Sequence, residues 1–176
     1  MPPKDFFSLG DAEAEAFFEA YVARAEPRLD EFRAEVPASG GPAADELDGS
    51  PESLVPLWRW FVAREHGADG ELPPWYEPDP PELAAERLPA GALRDVDGIA
   101  LYLAMAFRRA LGGLEWGIGH EPPRRRYVSQ NRPVLKAAGY DIDVLQVAYN
   151  LAMRTLDGRD TDDEALLRAF RAWTGA

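Results

Sequence analysis

Hydrophobic positions in the first part of the chain recur every three or four residues, with acidic residues between them. This spacing predicts one long amphipathic helix from Asp11, with an inward face made of Phe18, Tyr21, Val22, Ala25, Leu29, Phe32 and Val36. Pro27 lies inside the pattern. Because proline lacks a backbone N–H and disfavours helical geometry in the preceding residue, we expect a kink or a break there.

The pattern then predicts a loop, a second helix and a proline-rich connector. Residues 37–49 have no periodicity, whereas Ser50 followed by Pro51 is typical of a helix start, and that helix is expected to end near Gly67. Residues 68–91 contain "LPPWYEPDPPE", which favours an extended backbone, with a short helix possible around 82–87. We expect this connector to be ordered, since Trp75 and Tyr76 would otherwise stay in water.

The apolar run "IALYLAMAF", residues 99–107, has no polar face and predicts a buried central helix that begins after Asp95 or Asp97 and ends at paired glycines. Residues 114–131 then fit a β-hairpin, with "LEWGIG" and "RRYVSQ" as strands and Pro133 ending the second one. A further helix follows from residue 141, and Thr161 with Glu164 forms a capping box that predicts the start of the last helix.

These elements together predict a mostly α fold. We expect residues 1–176 to form a single domain, a bundle of five or six helices with one small β-hairpin, because the length suits one ordinary core.

Charge narrows the classes of partner. The net charge is −12, and it is uneven: residues 1–97 hold 22 acidic and 8 basic residues, and residues 98–176 hold 9 acidic and 11 basic ones. Such a field repels phosphate backbones and anionic membrane surfaces, so neither nucleic acid nor a membrane is an expected partner. The chain has no cysteine, no signal-peptide pattern and no apolar run long enough for a membrane span, and we expect a cytoplasmic protein.

An arginine-rich stretch is the main candidate site. Residues 108–136 contain seven basic and two acidic residues within this acidic chain. They could form an anion site, in which guanidinium groups bind the anion and aromatic rings flank it. Its candidate residues are Arg109, Arg124, Arg125, Arg126, Arg132, Trp116 and Tyr127. The same arginines could instead neutralise the acidic half of the fold, and the sequence favours this second interpretation.

Other candidate chemistry is weaker. His120 and Glu121 could act as a general base and its orienting carboxylate, but as neighbours on a strand they would point to opposite faces. His66 suits a helix end, where the helix dipole favours a positive charge. The aspartates of "DGRDTDDE", residues 157–164, do not have calcium-loop spacing and suit a helix start. No catalytic residue, metal site or cofactor is predicted.

One segment has a resemblance to known proteins. The run "ALGGLEWGIG", followed by a second strand and "NRPVL" before another helix, resembles an arrangement in small uncharacterised actinobacterial proteins. It is also similar to that of some immunity-type proteins of bacterial toxin systems. The resemblance covers roughly residues 95–155, and it implies no functional residue.

Two functions remain open on the sequence alone. The first is a non-enzymatic interaction protein, immunity-type or regulatory, whose acidic face binds a basic protein partner. Its candidate contact residues are Glu13, Glu19, Glu31 and Glu35. The alternative is a small-molecule or anion-binding protein, enzymatic or not, that uses the arginine-rich hairpin.

Overall fold

The protein is mostly helical with a minor β component, as the sequence predicts. A computed structural model describes residues 5–77, 88–119 and 129–175. Of the residues that the structure describes, 57% are helical. The described helices are a short 3₁₀ helix Phe6–Ser8, α1 Asp11–Ala38, α2 Leu54–Ala63, α3 Ala90–Leu111, α4 Val144–Leu156 and α5 Ala165–Thr174. The strands are β1 Glu115–Ile118, β2 Pro133–Ala137 and β3 Tyr140–Ile142.

Helix α1 runs through Pro27 as one helix of 28 residues and does not divide in two. Pro27 is exposed, and so is Ala23, whose carbonyl loses its helical N–H partner to the proline. Water can reach that carbonyl, so the missing hydrogen bond costs little. At the start of the helix the Glu13 carboxylate accepts the N–H of Gly10 at 3.0 Å.

Helix α3 forms the centre of the core, and it begins at Ala90, several residues before the predicted start. It is buried on all sides along most of its length, as its apolar run predicts. Asp95 and Asp97 lie inside the helix, both buried. The sequence prediction placed the helix start at these aspartates, but their charges are matched by partners on other elements and do not mark a helix end.

The predicted hairpin at 114–131 differs in the segment that pairs with the first strand, and residues 125–128 of its expected second strand lie outside the described residues. Strand β1 pairs antiparallel with β2, with Trp116 opposite Leu135, and β3 adds a third antiparallel strand on the other edge of β2. Residues 129–130 form a turn, and Pro133 begins β2 where it was expected to end a strand. Proline is compatible with the first residue of a strand, and the buried Val134 and Leu135 that follow it supply the apolar strand.

The ends of α2 and α5 also differ from the prediction. The hydroxyl of Ser50 accepts the N–H of Ser53 at 3.3 Å, but α2 itself begins at Leu54. Helix α5 begins at Ala165. The N–H of Glu164 donates to the Asp162 carboxylate at 2.9 Å, whereas the prediction gave the capping role to Thr161. The expected helix around 82–87 lies outside the described residues.

Packing of aromatic side chains joins the layers. Phe107 of α3 stacks on Phe170 of α5 with ring centroids 4.7 Å apart. Trp75 and Tyr76 are buried, so the described part of the proline-rich segment contributes to the core.

None of the described helices has both the length and the apolar character that crossing a membrane requires.

Candidate functional site

Among the described residues of the predicted anion site, Arg132 lies apart from Arg109. Arg132 is buried, and its guanidinium lies 3.1 Å from the Asp143 carboxylate, donates to the side chain of Gln146 and covers the Phe6 ring at 5.4 Å. Arg109 lies elsewhere, at the end of α3, where it donates to the carbonyl of Asp48. Arg132 and Arg109 therefore occupy different environments.

The remaining members of that candidate site are not described. Arg124, Arg125, Arg126 and Tyr127 lie outside the described residues, as do His120 and Glu121. Trp116 is described, and its ring packs edge-to-face on Tyr21 at 5.7 Å.

The Arg132–Asp143 pair is a buried electrostatic cluster. Burial raises the pKa of the Asp143 carboxyl above its usual range, and the nearby Arg132 opposes that rise. Burial, together with the negative charge of Asp97, also raises the pKa of the Tyr21 hydroxyl, so this group stays protonated. The second oxygen of Asp143 accepts the backbone N–H of Gln146 at 2.9 Å, which caps the start of α4.

Asp97 is the centre of a second buried network, which the sequence pattern does not indicate. Its carboxylate accepts hydrogen bonds from Arg24 at 2.9 and 3.0 Å and from the indole N–H of Trp75 at 2.8 Å, and Arg28 lies at 3.5 Å. The network ties the proline-rich segment to α1 and α3. Periodicity could have placed Asp97 on the buried side of α3, but the helix was predicted to start at or after it.

His66 and Asp95 form a histidine–carboxylate pair, but its geometry does not suit base catalysis. The Nδ1 atom of His66 lies 3.2 Å from Asp95, and Nε2 lies 3.0 Å from the carbonyl of Phe61. Both ring nitrogens therefore already have hydrogen-bond partners within the fold. Neither nitrogen is free to contact a substrate.

The aspartate-rich segment 157–164 is a set of ion pairs. Arg168 pairs with Asp160 and Asp162, Arg159 with Asp157, and Asp163 with Arg59 of α2 at 2.7 Å. Within the part of the chain that the structure describes, no group of three or more histidine, aspartate or glutamate residues could hold a metal ion.

The acids of α1 fall on two flanks of its buried face. Glu31 and Glu35 lie on one flank beside Arg28, at 3.8 and 3.4 Å, and Glu35 also pairs with Arg94 at 3.3 Å. Glu13 lies on this flank too and serves as the helix cap. Three of the four predicted contact residues are thus engaged within the fold, and only the fourth, Glu19, lies on the other flank.

The other flank carries what we call the α1 acidic row, whose members follow one another at helical spacings of four and seven residues. None of them has a salt-bridge partner among the described residues, and all are exposed. The row consists of Asp11, Glu15, Glu19, Glu26 and Asp30.

The row borders a half-open groove of about 510 Å³, which we call the α1–α3 groove. Its walls come from α1 residues 25–33, α3 residues 101–109 and residues 113–116. Leu29, Met105 and Trp116 contribute half-buried apolar surface, and Glu26 and Asp30 of the row stand at its rim. Of the predicted anion site, Arg109 and Trp116 line this groove.

Comparisons with known protein families, with curated proteins and with solved structures find no match to this chain.

Proposed function

We propose that this protein is a non-enzymatic interaction protein that binds a basic protein partner through the α1 acidic row. The observation that carries the proposal is the contrast between the two flanks of α1. On one flank Glu13 accepts the backbone N–H of Gly10, and Glu31 and Glu35 pair with arginines. On the other flank five acids stand exposed with no salt-bridge partner among the described residues.

The row is costly within the free protein, which favours a role outside it. Like charges four residues apart on a helix repel each other, and three such pairs occur, at Asp11–Glu15, Glu15–Glu19 and Glu26–Asp30. A basic partner would relieve this repulsion. The surrounding N-terminal half, with 22 acidic and 8 basic residues, would also draw such a partner toward the surface and speed association.

The alternative of an anion site on an arginine-rich hairpin has less support among the described residues. Arg132 already has Asp143 as its counter-ion, and Arg109 donates to a backbone carbonyl. The proposal leaves an immunity-type role and a regulatory role both open, and it places the protein in the cytoplasm.

Binding of a decalysine peptide tests the row without requiring the natural partner. We expect the protein to bind this peptide at low salt and to release it as salt is added, because contacts between exposed charges are screened. The row variant combines Asp11→Asn, Glu15→Gln and Glu19→Gln, all outside the groove. Calorimetric titration should show affinity about tenfold weaker for it, since each exposed contact contributes up to roughly 1 kcal/mol.

The matched control removes three exposed acids elsewhere, with Asp45→Asn, Glu52→Gln and Glu65→Gln. We expect it to keep the affinity of the unchanged protein within about twofold. If the control loses as much affinity as the row variant, net charge alone explains binding and the proposed surface is wrong. Absence of decalysine binding at low salt would also refute it.

A further inference from the structure

The α1–α3 groove holds charges of both signs that are not paired with each other. Its acidic residues are Glu26, Asp30 and Glu115, and its basic residues are Arg33, Arg108 and Arg109. No ion pair within 4 Å joins any of these six described residues. In contrast, eight other described arginines each pair with a carboxylate: Arg24, Arg28, Arg59, Arg64, Arg94, Arg132, Arg159 and Arg168.

The arginines collect at one end of the groove. Arg33 donates to the carbonyl of Leu47 at 3.1 Å, and Arg109 donates to the carbonyl of the next residue, Asp48. Their guanidinium groups are therefore close together. The Nε atom of Arg33 is buried and has no hydrogen-bond partner, so a donor remains unused at this end. Arg108, next to Arg109, is exposed and unpaired among the described residues.

The opposite end is acidic and aromatic. Trp116 packs against Tyr21, which precedes Glu26 on α1 by more than one turn. A cation at this end would face the Glu26 carboxylate and the electron-rich ring of Trp116 together. The floor between the two ends is apolar and includes Leu29 and Met105.

The distance between the ends selects the length of the ligand. Glu26 and Arg33 are seven residues apart on one helix, which is about 10 Å along its axis. The two charged groups of a free amino acid are much closer together than this. Three residues of extended chain, at about 3.3 Å each, span the distance.

We propose that the α1–α3 groove binds an extended peptide segment of the basic partner about three residues long. A basic side chain of the segment lies at the Glu26 end, an apolar side chain covers the floor, and a carboxylate meets the arginines at the other end. This inference rests on the proposed function and adds the sequence that the docking segment must carry. The carboxylate is either an acidic side chain or the end of the partner chain.

Four short peptides test the inference by nuclear magnetic resonance titration of the intact protein. The reference probe is acetyl-Lys-Leu-Glu-amide. Two probes each lack one charge, acetyl-Gln-Leu-Glu-amide and acetyl-Lys-Leu-Gln-amide, and the fourth, acetyl-Lys-Leu-Ala, ends in a free carboxylate. We expect the reference probe to bind about threefold or more tightly than either probe with one charge removed, since each exposed charge contact contributes modestly. Tighter binding of the fourth probe than of the reference supports the inference and identifies a chain end as the carboxylate.

Two substitutions assign the ends, and both are at exposed residues without salt-bridge partners among the described residues, so the fold should be kept. Glu26→Gln should abolish the preference for lysine over glutamine in the probe and leave the carboxylate preference intact. Arg108→Gln should do the reverse. Glu65→Gln and Arg171→Gln, at exposed positions outside the groove, are matched controls that should preserve both preferences.

The peptide titrations distinguish failure of the groove inference from failure of the proposed function of the α1 acidic row. Equal binding of all probes, or preferences that survive both substitutions, would overturn the groove inference even if decalysine still binds to the row. Probe preferences that change with the two substitutions as described would support the groove even if decalysine did not bind. In that case the proposal of a strongly basic partner would be wrong, and the proposal of the docking segment would stand.

Discussion

At the scale of single residues, Gly98 shows how closely two helices approach. A Cβ atom added at Gly98 of α3 would lie 2.1 to 2.6 Å from three atoms of the Phe32 ring of α1. Phe32 is fully buried, so its ring has no free space into which to move. Glycine is therefore required here by contact between helices and not by backbone conformation.

We expect Gly98→Ala to destabilise the protein by about 1–3 kcal/mol, because overpacking outweighs the gain of about 1 kcal/mol that alanine brings to a helix. Urea unfolding followed by tryptophan fluorescence measures this change. The double variant Gly98→Ala, Phe32→Leu should lose less stability than the two single changes added together. Additive losses, or a stabilised Gly98→Ala protein, would show that the ring does not set the limit.

Asp143 shows the effect of burial on a single charge. Its pKa is raised in the folded protein, so the folded state holds the proton more tightly than the unfolded state does. The stability contributed by this group is therefore present below its ordinary value of 3.8 and is lost as the pH rises through the raised value.

The free energy of unfolding of the unchanged protein, relative to Asp143→Asn, should therefore fall as the pH rises above the ordinary Asp143 pKa of 3.8. Denaturant titrations at a series of pH values measure the difference. Asp48 is the contrasting case, because a hydrogen bond from the Ser50 side chain, with others, lowers its pKa. The corresponding difference for Asp48→Asn should change in the opposite direction, and the same trend for both variants would contradict the assignment.

At the scale of elements, α1 serves two purposes on different sides. Its buried residues, such as Phe32 and Val36, contribute to the core, while one flank carries Arg24 and Arg28 to the Asp97 network. The acidic row on the other flank makes no ion pair with another described element, and only Asp11 lies in the first turn, where an acid favours the helix N-terminus. The helix is long because its core face continues on both sides of Pro27.

Repulsion within the row gives a measurable cost. Glu15→Gln removes two like-charge contacts, with Asp11 and Glu19, and should stabilise the protein by about 0.5 kcal/mol at low salt. The gain should shrink as salt is added, because screening removes the repulsion in the unchanged protein too. As a control, Glu13→Gln, at the helix cap, should give no such gain, since the Glu13 carboxylate accepts the N–H of Gly10. A stability loss in Glu15→Gln would show that Glu15 has an internal role.

At the scale of the whole molecule, the net charge of −12 opposes folding through self-repulsion. The described ion pairs offset part of this repulsion. An example is Asp97 of α3, which pairs with Arg24 and Arg28 of α1 and also accepts a hydrogen bond from Trp75 of the proline-rich segment. The charge that remains is concentrated in the N-terminal half.

Added potassium chloride should therefore raise the free energy of unfolding between about 0.02 and 0.2 M, because the screening length shortens to about 7–8 Å over that range. Thermal unfolding at fixed pH measures the effect. The gain should level off at higher salt, since screening is then nearly complete, whereas a non-specific salt effect would continue to grow. A fall in stability with salt would mean that favourable ion pairs outweigh the net repulsion.

The sequence by itself determined the helical class, the long first helix and the burial of the α3 apolar run. These features follow from local periodicity, which records the side of a helix that faces the core. The burial of Trp75 and Tyr76 was also predictable, because two large rings next to each other are costly in water.

Only the tertiary structure decided the strand pairing, the start of α3 and the separation of the α1 acids into paired and unpaired sets. Strand β1 pairs with residues 133–136 because the buried Val134 and Leu135 complete the core there, which no local turn signal indicates. Asp97 can lie within a buried helix because Arg24, 73 residues away in sequence, supplies its counter-charge. Such partners are distant along the chain, so the pattern around any one residue cannot show whether its charge is satisfied inside the fold or left for another molecule.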